Sequence, residues 1–282
     1  MASSSGFDSF FLGLECPIPG AAAGRVVRVL AYTHFSVHLD PERRLAAVTA
    51  VNIDGATAVD APRGDDWHLD ERIPASEQTG PEVYARNDLD RGHLVRRRDP
   101  VWGPDATKAN YDTFSYANAA PQVAEFNQSK ELWNGLEDHV LAYAETNGLR
   151  LSVFTGPVFG ADDPEYRGVR IPLGFWKVAA WNAAGVLRAA GFVLDQSPQL
   201  DGIDLETARA TAIATDAPPP LGPFRTFQVA VGDLAALTGL DFGVMEAADV
   251  FERPAEETGI RPLGLPRAMR WRELESAEAI RL

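Results

Sequence analysis

An α+β fold built on a mostly antiparallel central sheet flanked by helices is predicted by three features of the sequence. Two runs rich in β-branched and aromatic residues, 26–38 and 45–53, are separated by a turn at 40–44, which is the pattern of an antiparallel hairpin. One long amphipathic helical pattern, 129–147, stands in mid-chain. Further β-rich runs follow it, interleaved with short helical ones. Strands, a helix, then strands with small helices, with no linker or repeat between them, make a single α+β domain.

The elements are justified in order. Residues 1–24, rich in Ser, Gly and Ala at both ends, read as an irregular arm. The run 26–38 reads as one strand and 45–53 as its partner. Residues 54–89 carry Asp, Gly and Pro with few apolar runs, which predicts a long structured loop; 99–113 is again loop-like, and 114–118 short and extended. Pro121 suits the first turn of a helix. In 129–147, Leu132, Leu136, Val140 and Tyr143 recur at helical spacing, and Asn147-Gly148 supplies the stop. Strands are expected at 150–155, 175–181, 187–194 and 226–231, with a hairpin signal at Asn182-Ala183-Ala184-Gly185. Short helices are expected at 204–213 and 231–238, and a last one at 270–281.

Composition narrows the function. A chain of 282 residues buries roughly 75% of the surface it exposes when unfolded, so it needs no covalent staples. Its single cysteine, Cys16, excludes an intrachain disulfide framework and a cysteine-rich zinc site. Cys16 lies in an apolar stretch with no histidine beside it, as a small buried hydrophobe would. The start of the chain lacks a basic segment followed by an apolar one, and no run of eighteen apolar residues occurs, so neither a secretory signal nor a membrane span is expected. The default compartment is cytoplasmic, with export by a route without a signal left open. A formal net charge of −14 argues against a nucleic-acid coat protein, which needs a broad basic field. The charge is locally reversed, however: residues 86–98 hold five arginines and two aspartates. Arg96, Arg97 and Arg98 read either as a solvated loop face or as phosphate attraction.

The five histidines show no metal-protease spacing. His34 and His38 fall four apart on one strand pattern, His139 in the helix. His93 differs because it directly follows Gly92, and a glycine lets another backbone or a phosphate approach closely. A histidine there suits a general base. The carboxamide of Asn127, ahead of the long helix, suits a divalent metal. Together they would make a minimal machine for cutting phosphodiesters.

Four segments occur in order: Asp90-Arg91-Gly92-His93-Leu94, Asn118-Ala119-Ala120-Pro121-Gln122, Phe126-Asn127-Gln128, and Trp133-Asn134-Gly135-Leu136-Glu137. With Phe154-Thr155-Gly156-Pro157 and Trp176-Lys177-Val178 downstream, this series resembles the DNA/RNA non-specific endonuclease family over roughly residues 26–245. The resemblance implies a ββα-metal finger, with 25–250 as the endonuclease domain between the arm 1–24 and a C-terminal extension, 251–282, packed on it. It implies His93 as general base and Asn127 as protein ligand of Mg²⁺, with Mn²⁺ as a substitute. Arg91 would position phosphate or brace the site, Asn118 would contact the scissile region or orient the site, and Glu137 would hold metal-bound waters. Arg91, Arg96 and Arg97 are the substrate-binding candidates. The implied activity is hydrolysis of DNA and RNA to 5′-phosphate and 3′-hydroxyl ends. A homodimer and a proteinaceous inhibitor are further partners the resemblance admits. The alternative is a decayed nuclease scaffold that binds nucleic acid or a protein without cutting.

The chemistry is sound without the family. A neutral imidazole can take a proton from water near pH 7, and Mg²⁺ prefers oxygen ligands while keeping most of its waters. Other roles stand beside these: helix cap for Asn127, surface pairing for Glu137, turn residue for Asn118, partner of Asp90 or Asp88 for Arg91, core for Trp133. The chain departs from the family pattern twice. Six residues rather than four lead from Asn127 to Trp133, so Glu131 competes with Glu137 for the outer shell. The family's upstream arginine falls near Trp67, leaving Arg63 and Arg72 as the nearest candidates, and Leu141 replaces a helix arginine.

Overall fold

In the computed structural model, residues 6–21, 24–123, 142, 144, 148–197, 225–251 and 271–274 are described. In chain order the strands are β1 (Arg28–Tyr32), β2 (Phe35–Asp40), β3 (Leu45–Asp54), β4 (Leu89–His93), β5 (Ala119–Val123), β6 (Arg150–Val158), β7 (Glu165–Tyr166), β8 (Val169–Arg170), β9 (Gly174–Ala183), β10 (Val186–Asp195), β11 (Arg225–Val229) and β12 (Trp271–Glu273). The helices are α1 (Pro81–Tyr84), α2 (Ala106–Asp112), α3 (Val231–Thr238) and α4 (Val244–Ala247). Eight strands form one sheet in the order β1-β2-β3-β6-β9-β10-β11-β12, each pair antiparallel. The α+β fold with an antiparallel sheet is as the sequence predicts.

Every residue of β3 is buried, which a strand achieves only when both its faces are covered. Val51 and Ile53 point to one face, where they meet Val153, Phe175, Phe192 and, from the separate β4–β5 ribbon, Leu89 and Ala120. Ala50 and Val48 point to the other, among Phe154, Trp176, Phe227, Leu234 of α3 and Met245 of α4. Leu12 and Cys16 of the N-terminal arm pack on that second face, and burial pushes the Cys16 thiol up to about 12, so it is an inert apolar group. The ribbon that carries His93 therefore rests on one face of a sheet whose other face is sealed. Each fully buried apolar side chain contributes about 1.5–3 kcal/mol to holding that platform together.

Several local expectations are corrected. The run 26–38 is two strands, since Thr33 and His34 turn the chain between β1 and β2. His34 takes φ +67°, stacked on Trp102 at 3.5 Å with its Nδ1 beside the Pro100 carbonyl at 2.8 Å. His34 and His38 thus do not share a strand face. Residues 99–113 hold α2, whose buried residues Ala106, Ala109 and Asp112 give a stripe too small and polar to register as apolar periodicity. Pro121 lies in β5 opposite Arg91, in a two-stranded ribbon where a missing N–H is tolerated. Residues 271–273 form an edge strand on β11 instead of part of a helix. The helix expected at 129–147 lies outside the described residues except at Ala142 and Ala144, which are helical. Its stop is as predicted: Gly148 takes φ +58° and the Leu149 amide donates to the Ala144 carbonyl at 2.9 Å. The helix expected at 204–213 lies outside them too. The 182–185 hairpin is present, with Ala184 at φ +52° and Gly185 at φ +89°, the signs a two-residue turn of this kind needs.

The long loop 55–88 is pinned by a buried polar knot. The Tyr32 hydroxyl donates to Asp70 at 2.5 Å and meets Ser115 at 3.0 Å. Arg72 grips Asp70 with Nη2 at 2.5 Å and lies over the Tyr32 ring, while the Gln78 amide holds the Asp70 backbone from both sides.

Gly156 of β6 tests the tightness of the sheet. A Cβ there would run into the Ala47 carbonyl and lie 3.0 Å from the Trp176 indole nitrogen. Gly156→Ala should therefore cost about 1–3 kcal/mol by overpacking, read as a lower urea midpoint at unchanged m-value. An unchanged midpoint would mean the strands can part at no cost.

Candidate active site

Period-two alternation along β4 sends Arg91 and His93 to one side and Gly92 to the other. On Gly92's side the buried Gln122 of β5 leans across the ribbon, and any Cβ on Gly92 would overlap its side chain. The glycine thus makes room for the Gln122 side chain at the point where His93 emerges.

His93 ends β4. Its ring lies 4.8 Å from Trp67 and 5.3 Å, edge-on, from Phe114. The residue as a whole is half-buried, but Nε2 is buried and, among the described residues, has no hydrogen-bond partner. Burial, followed by the charges of Arg63, Arg97 and Arg91, pushes its pKa down to about 3. At neutral pH the imidazole is uncharged, and a neutral imidazole has one ring nitrogen able to accept a proton.

The charges of three guanidiniums thus act on one histidine. Arg91 lies 5.0 Å above the Trp67 ring and 3.7 Å from the exposed Asp65. Arg97 is tethered by Nη1 to the Ala61 carbonyl at 2.9 Å and to Asn110 Oδ1 at 3.1 Å; burial and the neighbouring Arg63 and Arg98 charges lower its own pKa. Arg63 is exposed. Arg72, the other candidate for the missing upstream arginine, belongs to the Asp70 knot and does not join this group.

Asn118 is fully buried and spends its whole amide on backbone. Its Oδ1 accepts from the Val95 amide at 2.8 Å, and its Nδ2 donates to the Val95 and Thr113 carbonyls at 2.9 and 3.0 Å. Of the two roles the sequence leaves open, contact with the scissile region or orientation of the site, this geometry supports the second: Asn118 clamps the chain just beyond His93. Arg96 is half-buried in the same segment. Asn127 and Glu137, with Glu131 and Trp133, lie outside the described residues.

Among the described residues no group of three or more His, Cys, Asp or Glu gathers to hold a metal. Around His93 the described residues offer cations, which suit an anionic substrate and not a metal ion; the carboxamide expected to hold a divalent ion, Asn127, lies outside them. Of the residues the sequence singles out, His93, Arg91 and Arg97 stand in this one region. Sequence reasoning missed the walls, Trp67 and Phe114, because no local pattern marks a contact made between separate loops.

Residues 16–247 match the family described as DNA/RNA non-specific endonuclease. The chain belongs to this family. Curated relatives of the endonuclease domain include the uncharacterized protein y4fB of Sinorhizobium fredii, 39% identical over 91% of this chain and 41% of that protein. A nuclease of Nostoc is 30% identical over 64% of this chain and 61% of its own length. Mitochondrial endonuclease G of Bos taurus is 28% identical over 67% and 70%. The chain thus spans less than two thirds of the first two. Among solved structures, one of an EndoG/EndoGI complex superposes with a TM-score of 0.56 at 20% identity, covering 76% of this chain and 85% of that one. No helix among the described residues is long and apolar enough to cross a membrane.

The buried imidazole sets a pH dependence of stability. Unfolded, a histidine takes a proton near its usual pKa of about 6.5; folded, His93 resists until about 3. Between these values the unfolded chain holds more protons, so this group takes stability away as pH falls through that window and has no effect above it. His93→Gln should lose less stability than wild type between pH 7 and pH 4 in urea titrations. Parallel slopes would show that the imidazole is not held neutral.

Proposed function

We propose that this endonuclease domain hydrolyses phosphodiester bonds of DNA and RNA without sequence specificity, leaving 5′-phosphate and 3′-hydroxyl ends, with His93 as general base. The observation that carries this reading is the uncharged imidazole of His93, its buried Nε2 without a hydrogen-bond partner among the described residues, under three arginine charges. A phosphodiester is anionic and resists attack; arginines around it favour its binding and the further charge that develops as water adds. Nε2 takes the proton of the attacking water, the new P–O bond forms, and the bond to the 3′ oxygen breaks. A free-state pKa near 3 makes a weak base. The substrate's negative charge offsets Arg63, Arg91 and Arg97, and so raises the basicity of the imidazole when the phosphate is in place.

In this reading Asn127 holds Mg²⁺, or Mn²⁺ in its stead, and Glu137 or Glu131 orders the ion's waters. The ion, held there, would supply charge neutralisation and, through one of its bound waters, a proton for the departing 3′ oxygen. Arg91, Arg97 and Arg63 bind phosphate, Arg96 assists from the adjacent loop, and Asn118 positions the segment that follows His93. The inhibitor complex of the structural neighbour supports, for this domain too, a proteinaceous inhibitor as partner; a homodimer and the flanking segments 1–24 and 251–282 as additions to the core domain complete the proposal. The rival reading is a decayed scaffold that binds nucleic acid or a protein without cutting; the nicking assay below separates the two.

In a plasmid-nicking assay with Mg²⁺, His93→Ala should lower the rate by about 10²–10⁴-fold while the far-ultraviolet circular dichroism spectrum and melting temperature stay near wild type. EDTA should stop the wild type and added Mg²⁺ restore it. Undiminished nicking by His93→Ala, or by wild type in EDTA, would sink the proposal.

A further inference from the structure

The wall beside His93 carries an aromatic surface that the hydrolytic step does not use. Loop 61–68 lies against α2: the Asn110 amide reaches the Pro62 carbonyl at 3.4 Å and its Oδ1 holds Arg97 at 3.1 Å, and Gly64 abuts Phe114, 3.6 Å from where a Cβ would stand. Next to Asn110, Tyr111 is 48% exposed. One face of its ring is backed by His68 in a parallel stack, 4.5 Å between centroids and 7° between planes. The His68 ring is itself fixed, Nδ1 lying 2.9 Å from the Asp66 carbonyl. Among the described residues no ring or guanidinium covers the other face. The path to the catalytic base is short: the Tyr111 carbonyl accepts from the Phe114 amide at 3.1 Å, and the Phe114 ring touches His93.

A rigid, half-exposed aromatic face at the edge of an arginine cluster matches what single strands bind. Backbone phosphates are held by cations while unpaired bases stack on rings, and stacking is indifferent to base identity because every base has a π-face. A base inside a duplex has both faces covered and cannot use such a ring. Arg97 Nη1 is bonded to the Oδ1 of Asn110, the residue beside Tyr111, at 3.1 Å, so a cation stands next to the ring. A phosphate drawn to it brings the adjoining nucleotide to the wall that carries Tyr111.

We propose that Tyr111, backed by His68, is a stacking subsite for an unpaired nucleobase of the substrate strand, and that it biases the domain toward single-stranded nucleic acid. This inference rests on the nuclease reading of the same site. Tyr111 acts on binding and takes no part in the proton transfer at His93.

The test compares Tyr111→Ala and Tyr111→Phe with wild type on one labelled oligonucleotide, single-stranded or annealed to its complement, in Mg²⁺. Tyr111→Ala should raise KM for the single strand about tenfold, within the range for loss of one base–ring stack, and leave kcat and duplex cleavage within about twofold. Tyr111→Phe should behave as wild type. In parallel, a single strand carrying 2-aminopurine is titrated into wild type and both variants in EDTA. Its fluorescence should be quenched on binding to wild type and Tyr111→Phe but not to Tyr111→Ala. Equal losses on single strand and duplex, no loss at all, or quenching retained in Tyr111→Ala would each overturn the subsite. Absence of cleavage by wild type would refute the nuclease reading alone, since the quenching titration decides the subsite without turnover.

Discussion

The site depends on one buried carboxamide. Asn118 joins three backbone groups, the amide and carbonyl of Val95 and the carbonyl of Thr113, in an interior where an unmet polar group costs about 1–3 kcal/mol. Through Val95 it fixes the chain two residues beyond His93; through Thr113 it fixes the end of α2, next to Phe114. The base and one of its walls are thus set by the same side chain. The Leu94 amide, bonded to the Asn118 carbonyl at 2.9 Å, closes the ladder between the two segments. Gln122 does the complementary work on the far side of the ribbon, where its side chain fills the place a larger residue than Gly92 would occupy.

This arrangement leaves a tension that the function resolves. A histidine enclosed by Trp67 and Phe114 and faced by three arginines is a poor base when free, because burial and like charge both disfavour its cation. The same arginines are a good receptor for phosphate. In the proposed mechanism an anionic substrate would cancel the repulsion that weakens the base, so that the imidazole becomes effective when there is something to cut. The net charge of −14 does not describe the surroundings of His93, where the charges of Arg63, Arg97 and Arg91 all act on the imidazole.

Much of this was legible in the sequence, and the failures have physical causes. The hairpin at 182–185 was readable because its turn needs positive φ at two positions and the residues announce it. The pairing of Asp-Arg-Gly-His with Asn118 was readable from motif order, but not the reason for Gly92, which is the side chain of Gln122 on the partner strand. The turn at Thr33 and His34 was hidden because neither residue is a usual turn former; the left-handed backbone of His34 is held by Trp102 and the Pro100 carbonyl, contacts with no local trace. Residues 271–273 looked helical by composition and are a strand because β11 offers an edge. Arg63 could be named as a candidate beside Arg72, but only the Asp70 knot separates them, by taking Arg72 out of the site.

The central claim is that a neutral imidazole at position 93 takes the proton of the attacking water. The most direct measurement is chemical rescue of His93→Gly by free imidazole in the plasmid-nicking assay. The account expects little cleavage without imidazole and a rate that rises with the concentration of its neutral form, so that rescue fades as pH falls below the pKa of free imidazole. Cleavage by His93→Gly at the wild-type rate without imidazole, or rescue that follows the imidazolium ion, would contradict it.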